Sequence, residues 1–158
     1  MRVLFFSDSH VPRAQPFLPE SLLREMERVD LVLGLGDYAS REVLEYIWGS
    51  HIRFEGVCGN MDPQQLQKDL PQRKELTLEG YSFVLVHGWG APNGLEKRIL
   101  SSLDKKPQVC LFGHSHVCSD RKLGGVRFMN PGPCQPGGSF GTLAISATGI
   151  QASWVSLD

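Results

Sequence analysis

The sequence predicts an α/β fold in which two β-sheets pack against each other and helices cover their outer faces, a four-layer α/β/β/α sandwich. Three features lead there. Short apolar runs recur along the chain, and several are continuous rather than alternating, as in strands covered on both faces. Apolar residues at helical spacing separate the first of these runs. From residue 76 onward the pattern turns mostly to strand with two hairpin signals, which calls for a second sheet rather than one doubly wound sheet.

Taken in order, residues 3–6 open the chain as a buried strand, and 31–35, 52–57, 83–86 and 109–112 repeat the pattern. Leu22, Leu23, Met26 and Val29 share one helical face between the first two strands. Val43, Leu44, Ile47 and Trp48 form another, closed by Gly49. Asp62-Pro63-Gln64-Gln65 supplies an N-cap, a first-turn proline and a glutamine at the third position for a short helix ending near Pro71. Asn93 and Glu96 make a capping box for a helix with the apolar stripe Leu95, Ile99 and Leu103. Hairpins are expected around Glu79-Gly80, joining 76–78 to 83–86, and around Thr148-Gly149, joining 142–147 to 150–157; residues 126–129 add a further strand.

The 158 residues, 41% of them hydrophobic, read as one domain over 1–158. A chain of this size buries roughly 70% of its unfolded surface. The nearest boundary signal is the Gly/Pro-rich segment 130–141, and the 17 residues after it are too few for another domain. Sixteen basic and 17 acidic residues leave a formal charge of -1, without the basic footprint of a dedicated nucleic-acid binder. No run approaches the ~18 apolar residues of a membrane span, and MRVLFFSD reads as a strand rather than a signal peptide. Cys58, Cys110, Cys118 and Cys134 contain no CxxC pair and read as reduced thiols of a cytoplasmic protein.

The chemistry-bearing residues gather just beyond the predicted strands. Asp8 and His10 follow the first in FFSDSHVP, where alternate residues of an extended loop can face one cation. Asp37 follows LVLGLG and reads either as a turn residue or as a carboxylate able to bridge two cations. Asn60 in CGNMD offers a neutral amide oxygen, while Asp62 has the helix-cap reading given above. His87 in LVHGW, and His114 and His116 in LFGHSH, repeat one strand-to-histidine pattern. Imidazoles with carboxylates suit borderline divalent metals better than calcium. Asp8, His10, Asp37, Asn60, His87, His114 and His116 are too many ligands for one four-coordinate zinc, but enough for two ions with room for water.

In this order Asp8-x-His10, Gly36-Asp37, Gly59-Asn60-x-Asp62, His87-Gly88 and Gly113-His114-x-His116 resemble the calcineurin-like metallophosphoesterases, above all their small YfcE/Vps29-like branch. The resemblance spans essentially the whole chain. It implies a divalent-metal-dependent phosphoesterase, of the phosphodiesterase kind, hydrolysing a small phosphate ester with a dimetal-activated water. By the same resemblance Asp8, His10 and His116 hold the first metal, Asn60, His87 and His114 the second, and Asp37 bridges them. The expected ions are two Mn2+, with Fe, Zn or Ni as substitutes. Asp37, Asn60, His87 and Asp62 are the residues expected to serve catalysis.

Two positions depart from the family pattern. Met61 stands where many larger relatives carry a histidine that binds phosphate or protonates the leaving group, so that role passes to Asp62, to water or to no residue. Pro133 follows Asn130-Pro131-Gly132 where a serine is common, removing a hydroxyl and a backbone donor.

Other residues read more plainly. Trp89, beside Pro92, is either an aromatic wall for an ester or packing over the loops. Arg13 and Arg98 receive no role, Cys58 reads as a core thiol, and His51 as a solvent-facing or capping residue. The loops at 12–19 and 88–94 are expected to shape selectivity. The competing reading is a non-enzymatic Vps29-like interaction scaffold, but such look-alikes have lost ligand histidines that remain here. A nuclease is a weaker reading, and self-association is left open.

Overall fold

Ten strands and four helices build the fold in the computed structural model, which describes residues 1–11 and 18–158. Arg13 and residues 12–17 of the first selectivity loop lie outside the described residues. In chain order the elements are β1 (Arg2–Phe6), α1 (Glu20–Met26), β2 (Leu31–Gly34), α2 (Arg41–Trp48), β3 (Phe54–Gly56), α3 (Gln64–Asp69), β4 (Arg73–Leu78) and β5 (Tyr81–Val86). There follow α4 (Leu95–Ser101), β6 (Val109–Phe112), β7 (Ser119–Leu123), β8 (Val126–Asn130), β9 (Ser139–Ser146) and β10 (Gly149–Ser156). One five-stranded sheet has the order β10-β9-β1-β2-β3, the other β4-β5-β6-β8-β7.

Burial on both faces explains the continuous apolar runs. In β1, Val3 and Phe5 join Leu33, Phe83, Leu85, Leu111 and Leu143 in the core between the sheets. Their neighbours Leu4 and Phe6 point the other way, into a core with Leu22 and Met26 of α1 and with Val43, Leu44 and Ile47 of α2. In β6, Val109 and Leu111 face the other sheet, while Cys110 and Phe112 pack under Leu95 and Ile99 of α4. Three apolar layers therefore separate four structural ones, as the sequence predicts.

The register aligns the functional ends. β1 runs parallel to β2 and β2 to β3, with Val3 opposite Leu31 and Val32 opposite Phe54. In the second sheet β5, β6 and β8 are parallel. Beyond β1, Ser7 makes a bridge with Pro133, and Cys134 donates its amide to the Ser7 carbonyl at 2.8 Å. The loop after β8 is thereby tied to the end of β1.

Several local expectations shift. The first hairpin turns at Glu79-Gly80, both with positive φ (47° and 84°), as a two-residue turn with the twist of its strands requires. The second turns at Ala147-Thr148 instead, because Gly149 is already paired with Ser146. Gly94, with φ 74°, is the N-cap residue of α4 and no side chain caps that helix, so the Asn93/Glu96 box does not form. Trp48 is exposed and lies near the Arg41 guanidinium, 5.7 Å from its ring, rather than in the core. Strand β7, SDRKL, has no apolar pattern because it is a largely exposed sheet edge. The four cysteines are free, with Cys118 exposed.

Candidate metal centre

Five of the seven candidate ligands sit where the backbone is least comfortable. The loops after β1, β2 and β6 each place two residues, two apart, in the left-handed region: Asp8 and His10 (φ 54° and 43°), Asp37 and Ala39 (55° and 63°), His114 and His116 (68° and 57°). Such residues cost roughly 1 kcal/mol or more each and persist where surrounding structure holds them. For Asp8 and His10 this alternation, rather than the extended loop expected there, accompanies convergence of the two side chains, whose Oδ1 and Nε2 lie 3.8 Å apart. The loops are laced together, with the amides of Asp8, His10 and Val11 donating to the carbonyls of Gly36, Asp37 and Tyr38 at 3.0, 3.0 and 3.1 Å. The Gly113 amide likewise donates to the His87 carbonyl at 3.0 Å.

Two clusters result, each with ligand atoms within 4.8 Å of one another: Asp8, His10 and His116, and Asp8, Asp37 and His87. Asp8 Oδ1 lies 3.2 Å from His116 Nε2, 3.8 Å from His10 Nε2 and 3.9 Å from His87 Nε2. Asp37 Oδ2 is 3.2 Å from His87 Nε2 and 3.7 Å from His10 Nε2, so it reaches toward both clusters. The facing Nε2 atoms of His10 and His116 are 3.3 Å apart. His87 Nδ1 donates to the Leu35 carbonyl at 2.7 Å, which leaves Nε2 as the nitrogen able to ligate.

His114 stands beside these clusters rather than in them. The His114 ring meets His87 edge-on, with centroids 5.2 Å apart. Its Nε2 faces the Gly90 carbonyl at 2.7 Å, leaving Nδ1 as the nitrogen able to ligate. Asn60 is exposed and lines the same cleft as His87.

Supporting contacts explain the motif glycines and correct one expectation. A Cβ on Gly59 would lie 2.1 Å from Asp37 Oδ1, and one on Gly113 would lie 1.9 Å from Ser7 Oγ, so both glycines are required by close packing. Asp62 does not cap α3, whose N-cap residue is Pro63 with no side-chain cap bond. Its buried carboxylate turns back to accept the amides of Gly59, Asp37 and Ala39 at 2.7, 2.9 and 3.0 Å. The Met61 amide donates to Asp37 Oδ1 at 2.8 Å, while its side chain is 62% exposed.

Asn130 is a buried organiser that the sequence reading passes over. Its Nδ2 donates to the Gly113 carbonyl at 2.9 Å and to Ser115 Oγ at 3.1 Å, and its Oδ1 accepts the Gly132 amide at 2.8 Å. The signal was the Asn130-Pro131-Gly132 run itself, read above only for the residue that follows it. Arg98 bonds the carbonyls of Trp89, Ala91 and Asn93 and shapes their loop.

Electrostatics couple the two centre-facing groups. Burial favours the neutral Asp37 carboxyl, yet the His87 ring, the Met61 amide and His10 outweigh it and hold the pKa below the ordinary carboxylate value. Burial also opposes the charged form of His87, but Asp37, Asp8 and the Leu35 carbonyl hold its pKa above the ordinary histidine value. Burial, with Asp62 nearby, pushes the Cys58 thiol up, as expected for a core thiol rather than a nucleophile.

These residues fit a cation. Asp8 Oδ1 and His87 Nε2 are buried and have no hydrogen-bond partner among the described residues, although each faces other candidate ligands. Unpaired buried polar atoms are costly, and a divalent ion would satisfy both at once.

Comparison with known proteins agrees with this geometry. The family described as the calcineurin-like phosphoesterase superfamily domain matches residues 1–148. A probable metallophosphoesterase of Methanothermobacter thermautotrophicus is 28% identical over 133 residues, which cover 84% of this chain and 76% of that protein. A Thermotoga maritima protein solved by NMR is 39% identical, with a TM-score of 0.82 over 99% of both chains. Zinc-complexed Vps29 from Entamoeba histolytica (22% identity, TM-score 0.74, 100% of both chains) shares the fold. So does an archaeal phosphodiesterase (21%, 0.72, 98% of this chain and 100% of that one). No described helix is long and apolar enough to cross a membrane. With a family match over nearly its whole length and carboxylates and imidazoles converging at its strand ends, the chain belongs to the calcineurin-like phosphoesterase superfamily, a metal-dependent family.

Proposed function

We propose that this protein is a divalent-metal-dependent phosphodiesterase that hydrolyses a small phosphate ester at a two-metal centre. The carrying observation is that Asp8 Oδ1 and His87 Nε2, both buried and without a geometric hydrogen bond, face the rings and carboxylates that would share two cations. Asp8, His10 and His116 would hold one ion, and Asn60, His87 and His114 the other. Asp37 would bridge, with Oδ2 toward both clusters and Oδ1 held by the Met61 amide. Manganese is the proposed ion, since N/O ligand sets of this kind accept several divalent metals and supply helps choose among them.

Metal ions bound there would lower the pKa of a water and offset charge on the phosphoryl oxygens. The protein's own residues hold the geometry. Asp62 fixes the turn that carries Asp37 and positions it, rather than donating a proton, because its carboxylate is already spent on three amides. Met61 has no proton to give, so the leaving oxygen takes its proton from solvent. The diester preference rests on the family resemblance and on the archaeal neighbour named a phosphodiesterase. The second reading is a scaffold role like that of Vps29; retention of every candidate ligand supports the enzyme, although a Vps29 of the same fold also carries zinc.

The test is hydrolysis of bis(p-nitrophenyl) phosphate, p-nitrophenyl phosphate and cyclic nucleotides with Mn2+, Fe2+, Zn2+ and Ni2+. Metal-dependent turnover that favours the diester is expected. No turnover with any metal and substrate would overturn the proposal.

A further inference from the structure

A cleft of about 540 Å³ opens directly beside the centre and shares two of its residues, Asn60 and His87. Beyond them it is walled by Trp89, floored by Val86, Ile99 and Leu103, and bordered by Arg73 and Gln72. The metal clusters do not account for this space or for the character of its lining.

Two features of the wall point to a ligand. The Trp89 backbone is gripped by Arg98, whose Nε and Nη2 donate to its carbonyl at 3.3 and 2.9 Å, yet its side chain is exposed. The loop is thus held while a large aromatic face stays in solvent, where an incoming ring can cover it. Arg73 lies opposite Val86 in the β4–β5 ladder, one residue before His87. Opposed residues share a sheet face, and Val86 belongs to the core under α4, so the guanidinium sits on that face too. There its Nη1 donates to the Ser102 carbonyl at 3.1 Å. Its ion pair with Asp104 is long, 3.8 Å and beyond hydrogen-bond length, and Asp104 is 93% exposed, so the guanidinium keeps donors for an outside anion.

We infer that this cleft is a subsite for one organic arm of the phosphate ester, an aromatic arm bearing a second anionic group, with Trp89 stacking on its ring and Arg73 pairing with its charge. The inference rests on the phosphoesterase reading, because the phosphoryl end of the ligand must occupy the neighbouring centre. The described lining of the cleft contains no other Lys or Arg, so charge selectivity falls to Arg73. Carboxylate and phosphate oxygens both accept the planar guanidinium fork bidentately, and the two are compared below.

The experiment titrates the manganese-loaded protein with methylphosphonate, phenylphosphonate, 4-carboxyphenylphosphonate and 1,4-phenylenebisphosphonate by calorimetry. Each ligand has a single arm at the phosphoryl group, so no choice of leaving group confuses the comparison. Phenylphosphonate is expected to bind about tenfold tighter than methylphosphonate, the scale of partly burying a phenyl ring. One of the two para anions is expected to add a further several-fold, and the tighter of them names the arm's charge. Trp89→Ala should bring the phenyl-to-methyl ratio toward one. Arg73→Met should do the same for the anion-to-phenyl ratio, with Arg73→Lys retaining part of the gain. Because the readouts are ratios within each variant, a general loss of folded protein does not imitate them. A phenyl ligand no tighter than methyl, a para anion that adds nothing, or variants that weaken all four ligands by one factor would overturn the subsite. If methylphosphonate binds no better with manganese than without it, the phosphoesterase reading falls and the subsite falls with it.

Discussion

Asp62 and Asp37 sit back to back, the Asp62 carboxylate accepting the Asp37 amide at 2.9 Å while the Asp37 carboxylate faces His87 at 3.2 Å. One aspartate therefore holds the turn on which the other presents its oxygen. The strained φ of Asp37 is kept in place by three amide bonds converging on Asp62 from two loops.

Removing that support should loosen the centre before it touches the chemistry. Asp62→Ala leaves three amides without their acceptor and is expected to lower stability by about 3 kcal/mol or more. Metal affinity should fall roughly 10–100-fold, the usual effect of losing a partner behind a ligand. Urea unfolding and manganese titration read the two effects. Unchanged stability with a large fall in kcat would instead make Asp62 a proton donor.

Asn130 should behave in parallel for the loop of His114 and His116. Asn130→Ala deprives the Gly113 carbonyl and the Gly132 amide of a buried partner, for an expected loss of about 2 kcal/mol. Weakened manganese binding should accompany it, and wild-type affinity in a folded variant would contradict the role.

Metal binding should depend on pH through His87. Its pKa is raised above the ordinary value in the metal-free protein, so the ring is protonated below that raised value and must lose its proton to ligate. Affinity should therefore fall as pH drops through a window that begins above the ordinary histidine pKa. Calorimetry in two buffers of different ionisation enthalpy should record proton release on binding there. Binding without proton release across that window would exclude His87 as a ligand.

Met61 is solvent-exposed and next to Asn60, so a histidine fits there without repacking. If leaving-group protonation limits turnover, Met61→His should raise kcat for alkyl esters by about tenfold or more, and leave p-nitrophenyl esters, whose leaving group needs no proton, nearly unchanged. Equal rates on both substrate types would show that protonation is not limiting.

What could be read in the sequence follows from which forces are local. β1 and β6 are legible because burial on two faces writes four consecutive apolar residues, and the ligands because they follow those runs directly. β7 is not, since an edge strand needs no apolar face. Asp62 reads as a helix cap in the sequence because two of its actual partners, Asp37 and Ala39, lie 25 and 23 residues away. Arg73 was missed for a related reason: it meets the His87 end of the cleft only through the β4–β5 register. The left-handed turns are invisible too, since Asp and His carry no signal comparable to glycine for positive φ.

The most direct test of the two-metal reading is anomalous scattering from crystals grown with manganese, paired with the metal content of the dissolved crystals. The account predicts two ions per chain, one on Asp8, His10 and His116 and one on His87 with Asn60 and His114, both touching Asp37. A single ion, or ions bound away from these residues, would contradict it.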